Sequence, residues 1–151
     1  MKKFAVVLVL MSLSCGGATR GGRSIPDGPV DYQVILAGAY SQAKNYSVQL
    51  ITSESEWENV WLMARGKEEP LPQIPTVNFD KQFVIAAFMG ERTSSGYKIE
   101  ITSVIKQGPK LLVHVKKYET PGMLTVITNP FVLIRVPKGN YRLEVAEETV
   151  Q

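Results

Sequence analysis

Residues 83–89, Phe-Val-Ile-Ala-Ala-Phe-Met, are an unbroken apolar run, and no other stretch limits the fold as strongly. A strand that is apolar on both faces has to be covered on both, which is the behaviour of a central strand between two layers. One cover is readable upstream. Ser53-Glu54-Ser55-Glu56 is a capping-box pattern, in which the Ser53 hydroxyl accepts from the Glu56 amide while the Glu56 carboxylate reaches back. Trp57, Val60, Trp61 and Ala64 follow at i, i+3, i+4 and i+7, one apolar helical face that ends at Gly66. Trp57 and Trp61 are therefore expected to be structural, on a helix that covers the sheet.

The remaining chain reads as strands. Residues 32–40 and 46–52 are β-leaning runs separated by 41–45, the spacing of a hairpin, and Tyr46, Val48 and Leu50 alternate with polar residues. Pro70, Pro72 and Pro75 make 68–80 an extended, stiff crossover. Tyr97, Ile99, Ile101 and Ile105 alternate along one run and Leu111, Val113 and Val115 along the next, and 131–136 and 141–145 complete the set. The expected fold is mainly β, a β-rich α+β arrangement: an antiparallel sandwich or partial barrel of about seven strands with one packed amphipathic helix. A body spanning 31–151 can bury about 65% of its unfolded surface, so it needs no metal or disulfide to fold.

Composition removes several classes of function. The 151 residues include one Cys and one His, too few for an internal disulfide, a multi-Cys zinc site or most triads. From Cys15 onward there are 15 basic and 14 acidic residues, which gives no electrostatic argument for nucleic acid. Ser94 and Ser95 lack a Gly-x-Ser-x-Gly elbow, and His114 reads as a partly exposed sheet residue. No phosphate loop or dinucleotide fingerprint occurs, so neither catalysis nor a cofactor is expected.

The amino terminus carries an address. Lys2 and Lys3 precede a ten-residue apolar run at 4–13, shorter than the roughly 20 residues of a spanning helix, and the only Cys follows at Cys15 after small Ser14. This resembles a bacterial lipobox with its leucine displaced to Leu13, and implies a signal peptide over 1–14 and lipidation at Cys15. The resemblance implies a lipid anchor in the cell envelope, and Gly16 after the Cys leans towards the outer membrane. Residues 16–30, with five Gly and two Pro, read as a flexible tether.

Gly90-Glu91-Arg92-Thr93-Ser94-Ser95-Gly96-Tyr97 after the apolar run, the Ile99-Glu100-Ile101 strand, and Asn129-Pro130-Phe131 opening a later one resemble the PrcB family of protease-complex subunits over about 77–138. The resemblance implies a non-catalytic β domain that associates with, or stabilises, an exported protease. A weaker likeness at 93–97 is to chagasin-like cysteine protease inhibitors. If the strands from 83 onward run up and down in turn, the 90–96 and 119–130 loops lie at one end and the 107–110 and 137–140 turns at the other. Loops above a rigid sheet are where binding residues tend to sit. Arg92, Thr93, Ser94, Ser95, Gly122, Met123, Asn129 and Pro130 are thus the partner-binding candidates, with Arg92, Ser94 and Ser95 expected at the exposed tip. Gly96 is expected to supply a positive φ, and Tyr97, on the parity of Ile99, to enter the core.

Three functions remain open at this stage. One is a membrane-anchored lipoprotein that assists the assembly or stability of an exported protease. A second is a protease inhibitor working through the two loops, and a third is an envelope module with an unrelated protein, glycan or ligand partner.

Overall fold

The computed structural model describes residues 24–151. The proposed signal peptide and Cys15 lie outside them. The elements are β1 (Gly28–Pro29), β2 (Gln33–Gly38), β3 (Ser47–Ile51), α1 (Glu54–Arg65), β4 (Gln82–Phe88), β5 (Lys98–Gln107), β6 (Lys110–Tyr118), β7 (Phe131–Pro137) and β8 (Arg142–Val150). They form two four-stranded sheets, β1-β5-β6-β8 and β2-β7-β4-β3, with no closed barrel. The expected mainly β sandwich with one helix is what forms.

Central strand β4 shows why the layers stack as they do. Phe83, Ile85, Ala87 and Met89 face the second sheet, where they meet Ile99, Ile101, Val104, Leu111, Val113 and Val115. Val84, Ala86 and Phe88 face the other way, onto Trp57, Val60, Trp61 and Ala64 of α1. All seven of these β4-run residues are buried. The molecule is thus layered as helix, sheet, sheet, and both apolar faces of one strand are covered. The Ser53–Glu56 capping box is present in full, and the α1 face carries both indoles inward. The proline crossover then lies along the helix, because Trp57 Nε1 donates to the Pro75 carbonyl at 2.9 Å and Trp61 Nε1 to that of Pro72 at 3.1 Å.

Four features depart from the sequence reading. β2 and β3 do not form a hairpin; they occupy opposite edges of one sheet, separated by β7 and β4. The 41–45 segment instead crosses the end of the sheet, with the Ser41 amide and hydroxyl both bonded to the Asn129 carbonyl and Asn129 Nδ2 donating to the Ala43 carbonyl. The register of β5 against β6 shifts between Ile101 and Ser103. One extra residue reverses the facing of everything after it, so Val104 enters the core where alternation had put Ile105. The sandwich is also not wholly antiparallel, since β8 pairs parallel to β6. With β7 placed in the other sheet, the chain returns to the second sheet in the direction in which β6 ran. Finally, residues 27–30 join the body rather than the tether: β1 pairs with β5, the Val30 amide bonds to the Val104 carbonyl at 2.8 Å, and Asp27 reaches Lys106 and the Gly108 amide.

A polar latch closes the side where β3 meets β8. Lys117 Nζ lies 2.8 Å from Glu147 Oε2 and 4.8 Å from the Tyr46 ring centroid, and Glu147 also accepts from the Tyr46 hydroxyl. Lys117, then Tyr46, hold the Glu147 carboxyl below its ordinary value of 4.5. A carboxyl held low when folded stabilises the fold above its ordinary value and loses that contribution as pH falls through the folded value. Urea midpoints at neutral pH and near pH 3 should therefore converge more closely for Glu147→Gln than for the wild type. An unchanged acid slope in the variant would contradict the latch.

Candidate functional site

The two long loops converge at one end of the sandwich. β4 rises to Met89, whose amide bonds to the Pro130 carbonyl at 2.8 Å, and the chain turns at Gly90 with φ of 83°. A short antiparallel bridge follows, in which the Arg92 amide bonds to the Thr128 carbonyl at 2.7 Å and the Thr128 amide returns to that of Arg92 at 2.9 Å. The buried Thr128 hydroxyl donates to the Ser94 carbonyl at 3.0 Å. The Ser95 amide bonds to the Leu124 carbonyl at 2.9 Å, and the Leu124 amide donates to Ser95 Oγ at 3.2 Å. Gly122 N–H donates to the Ser95 carbonyl.

This seam explains both glycines. Gly96 has φ of 95°, and a Cβ there would stand 2.6 Å from the Thr120 carbonyl oxygen and 2.7 Å from the Gly122 nitrogen. Gly122 is equally confined, since a Cβ on it would strike Ser95. Backbone has to touch backbone here, and only glycine permits it.

Several partner-binding candidates take other positions than the sequence suggested. Ser94 and Ser95 are half-buried in the seam, not at an exposed tip, because their carbonyls and the Ser95 hydroxyl tie the loops together. Arg92 is likewise committed. Its Nη1 donates to the Glu91 carbonyl, Nη2 lies 3.5 Å from Glu119 Oε1, and the guanidinium sits 5.8 Å from the Tyr97 ring centroid. Asn129 and Pro130 are buried beneath the loops and can only support a contact made by others. Gly122 serves the close approach. Tyr97 is half-buried against the inter-sheet core, so its ring enters as parity implied without being sealed. Thr93 and Met123 remain exposed.

The surface itself is one that sequence reasoning largely missed. Met123 is fully exposed, Leu124 is 66% exposed and Ile127 58%, all within five residues of one loop, and Tyr40 joins the same end through its bridge to Asn129. Isolated exposed apolar residues are ordinary, whereas a cluster held on a braced loop is the kind of surface at which interaction sites are found. The available signal was apolar residues lying outside any strand or helix period, in Gly122-Met123-Leu124-Thr125-Val126-Ile127. His114 lies on β6, flanked by Ser103 and Ala146, and among the described residues no group of three or more His, Cys, Asp or Glu gathers in metal-ligating fashion.

The class these observations define is a mainly β, two-sheet domain with a braced loop pair displaying an apolar crest. Residues 83–137 match the family model described as PrcB C-terminal, so the chain carries a PrcB-like C-terminal domain there. The match runs from β4 through β7 and includes both loops; β1, β2, β3, α1 and β8 lie outside it. It links the region to protease-complex subunits. No match was found among curated proteins or solved structures.

Proposed function

We propose that this chain is a non-catalytic lipoprotein of the bacterial envelope, anchored in the outer membrane, that binds an exported protease or protease complex and assists its assembly or stability. The observation that carries this reading is the crest of Met123, Leu124 and Ile127, exposed on a loop of the PrcB-like region and held from below by the seam. Rigid loops lose little entropy on docking, and the apolar crest supplies the area. The 93–97 turn is less suited to act as an inhibitory wedge, because the Ser94 carbonyl and the Ser95 amide, carbonyl and hydroxyl are spent on the 119–130 loop, and the Ser94 hydroxyl on the Ser95 carbonyl.

The place where the chain joins the sandwich suits an anchored protein. β1 pairs at Lys106 and Ile105, at the opposite end of β5 from the 90–96 loop. An anchor upstream of residue 24 would thus join the sandwich at the end away from the crest.

Two experiments test the reading. Cys15→Ser should abolish incorporation of labelled fatty acid and move the protein to the soluble fraction, and wild-type protein that takes up no label would rule out the anchor. A tagged full-length chain recovered from membranes should bring down a protease, and added protein should raise the yield of that protease without lowering its turnover. Reduced turnover would favour the inhibitor.

A further inference from the structure

A cleft of about 420 Å³ lies at the other end of the sandwich, with Asp31, Gln33, Lys81, Gln82 and Arg135 in its lining. It is remote from the loop seam and shares no residue with it. Arg135 sits on β7 between Gln33 of β2 and Val84 of β4. Alternation along the strands puts Arg135, Gln33 and Gln82 on the helix-bearing face of the sheet.

The charges here are unspent. Eight ion pairs engage Arg65, Arg92, Lys98, Lys106, Lys110, Lys116, Lys117 and Arg142, but neither Arg135 nor Lys81 has a carboxylate within 4.0 Å among the described residues. Asp31 lines the same cleft and pairs with no cation among the described residues. Arg135 Nε is moreover buried with no acceptor among the described residues. Nε itself is closed to solvent, so an arriving oxyanion is met by the outer Nη atoms of the half-buried guanidinium together with Lys81 Nζ. The guanidinium fork suits a carboxylate, and the net single positive charge of the lining is neutralised by one.

The neighbouring backbone indicates how such a group is delivered. β2 is one of the two edge strands of its sheet, its Val34 is 53% exposed, and the cleft opens beside its first residue. An extended segment can lie along such an edge while side chains enter flanking pockets. We infer that this cleft takes the carboxylate side chain of an extended, acidic peptide segment of a partner protein, as a contact separate from the loop crest.

The test uses the purified protein and two fluorescent hexapeptides, Thr-Val-Glu-Val-Thr-Val and the same peptide with Gln for Glu, read by anisotropy. The Glu peptide should bind at least tenfold more tightly and should shift the Arg135 Nε–H resonance. Arg135→Gln should abolish the preference, and Asp31→Asn should strengthen it. Lys81 is exposed, so Lys81→Gln leaves the fold intact and should reduce the preference at least threefold even if Arg135 variants fold poorly. Equal binding of the two peptides would overturn the inference, as would a Glu preference that survives Lys81→Gln unchanged. Tighter binding of inorganic phosphate or of anionic phospholipid vesicles than of the Glu peptide would also overturn it. None of these outcomes depends on a protease or on the 119–130 loop.

Discussion

Replacing Trp57 by alanine is expected to destabilise the protein by about 3–5 kcal/mol, the range for removing a fully buried large aromatic. The ring is 1% exposed and lies 5.6 Å from that of Trp61, tilted by 56°. It rests with Val60, Trp61 and Ala64 on Val84, Ala86, Phe88 and Leu133, and small Ala86 lets the helix approach the sheet closely. Truncation opens a cavity between α1 and the sheet, where Val60, Trp61 and Ala64 still hold the helix in place, so the space cannot readily collapse. A second loss follows from Nε1, whose bond to the Pro75 carbonyl holds the proline crossover against α1. Trp57→Phe separates the two effects: it retains most of the apolar volume and forfeits only that bond, at about 1 kcal/mol. Urea midpoints at constant m provide the measurement, with limited proteolysis at 70–76 as the reporter of a loosened crossover. A Trp57→Ala variant within 1 kcal/mol of wild type would mean that α1 does not close the core. Natural domains are stable by only about 5–15 kcal/mol in all, so the larger loss should be visible as a fall in soluble yield.

Why the helix and β4 were legible while β2 and β3 were not is a matter of where the information lies. The run at 83–89 and the spacing of Trp57, Val60, Trp61 and Ala64 each state a local periodicity that burial then enforces. A hairpin between 32–40 and 46–52 is also a local inference, but the bonds that prevent it are remote: Ser41, Ala43 and Ala39 are claimed by Asn129, some ninety residues later. The bulge after Ile101 has a similar character, since alternation cannot show the extra residue that turns Val104 inward. The parity of the strands did place the two loops at one end. It could not show that Ser94 and Ser95 would be consumed in joining them. Ser95→Arg, neutral if that residue were a free tip, is now expected to cost about 1–3 kcal/mol by breaking the bond to the Leu124 amide in a half-buried seam. A melting curve matching wild type would return Ser95 to the surface.

Charge placed on the crest, as Met123→Asp with Ile127→Asp, is expected to weaken partner binding at least a hundredfold while leaving the melting temperature near that of wild type. Both side chains are exposed in the free protein, and exposed substitutions away from structural bonds usually stay within about 0.5 kcal/mol. Leu124 is left untouched, because its amide and carbonyl both belong to the seam. In the complex the balance reverses. An apolar anchor at the centre of an interface contributes about 2 kcal/mol or more, and an unpaired carboxylate buried in its place adds a desolvation cost of several kcal/mol. Since each 1.4 kcal/mol is a factor of ten in affinity, even the anchor losses alone reach the hundredfold level. Asn129→Ala is the informative control. It removes a buried bond to Ala43 below the crest, so it should lower the melting temperature and reduce binding only in proportion to the folded protein lost. Pull-down yield and melting temperature, measured side by side, thus distinguish a contact surface from the scaffold beneath it. If the double Asp variant melts normally and recovers the same protease in the same yield, the partner is not read by this loop, and the seam exists to close the sandwich rather than to present its crest.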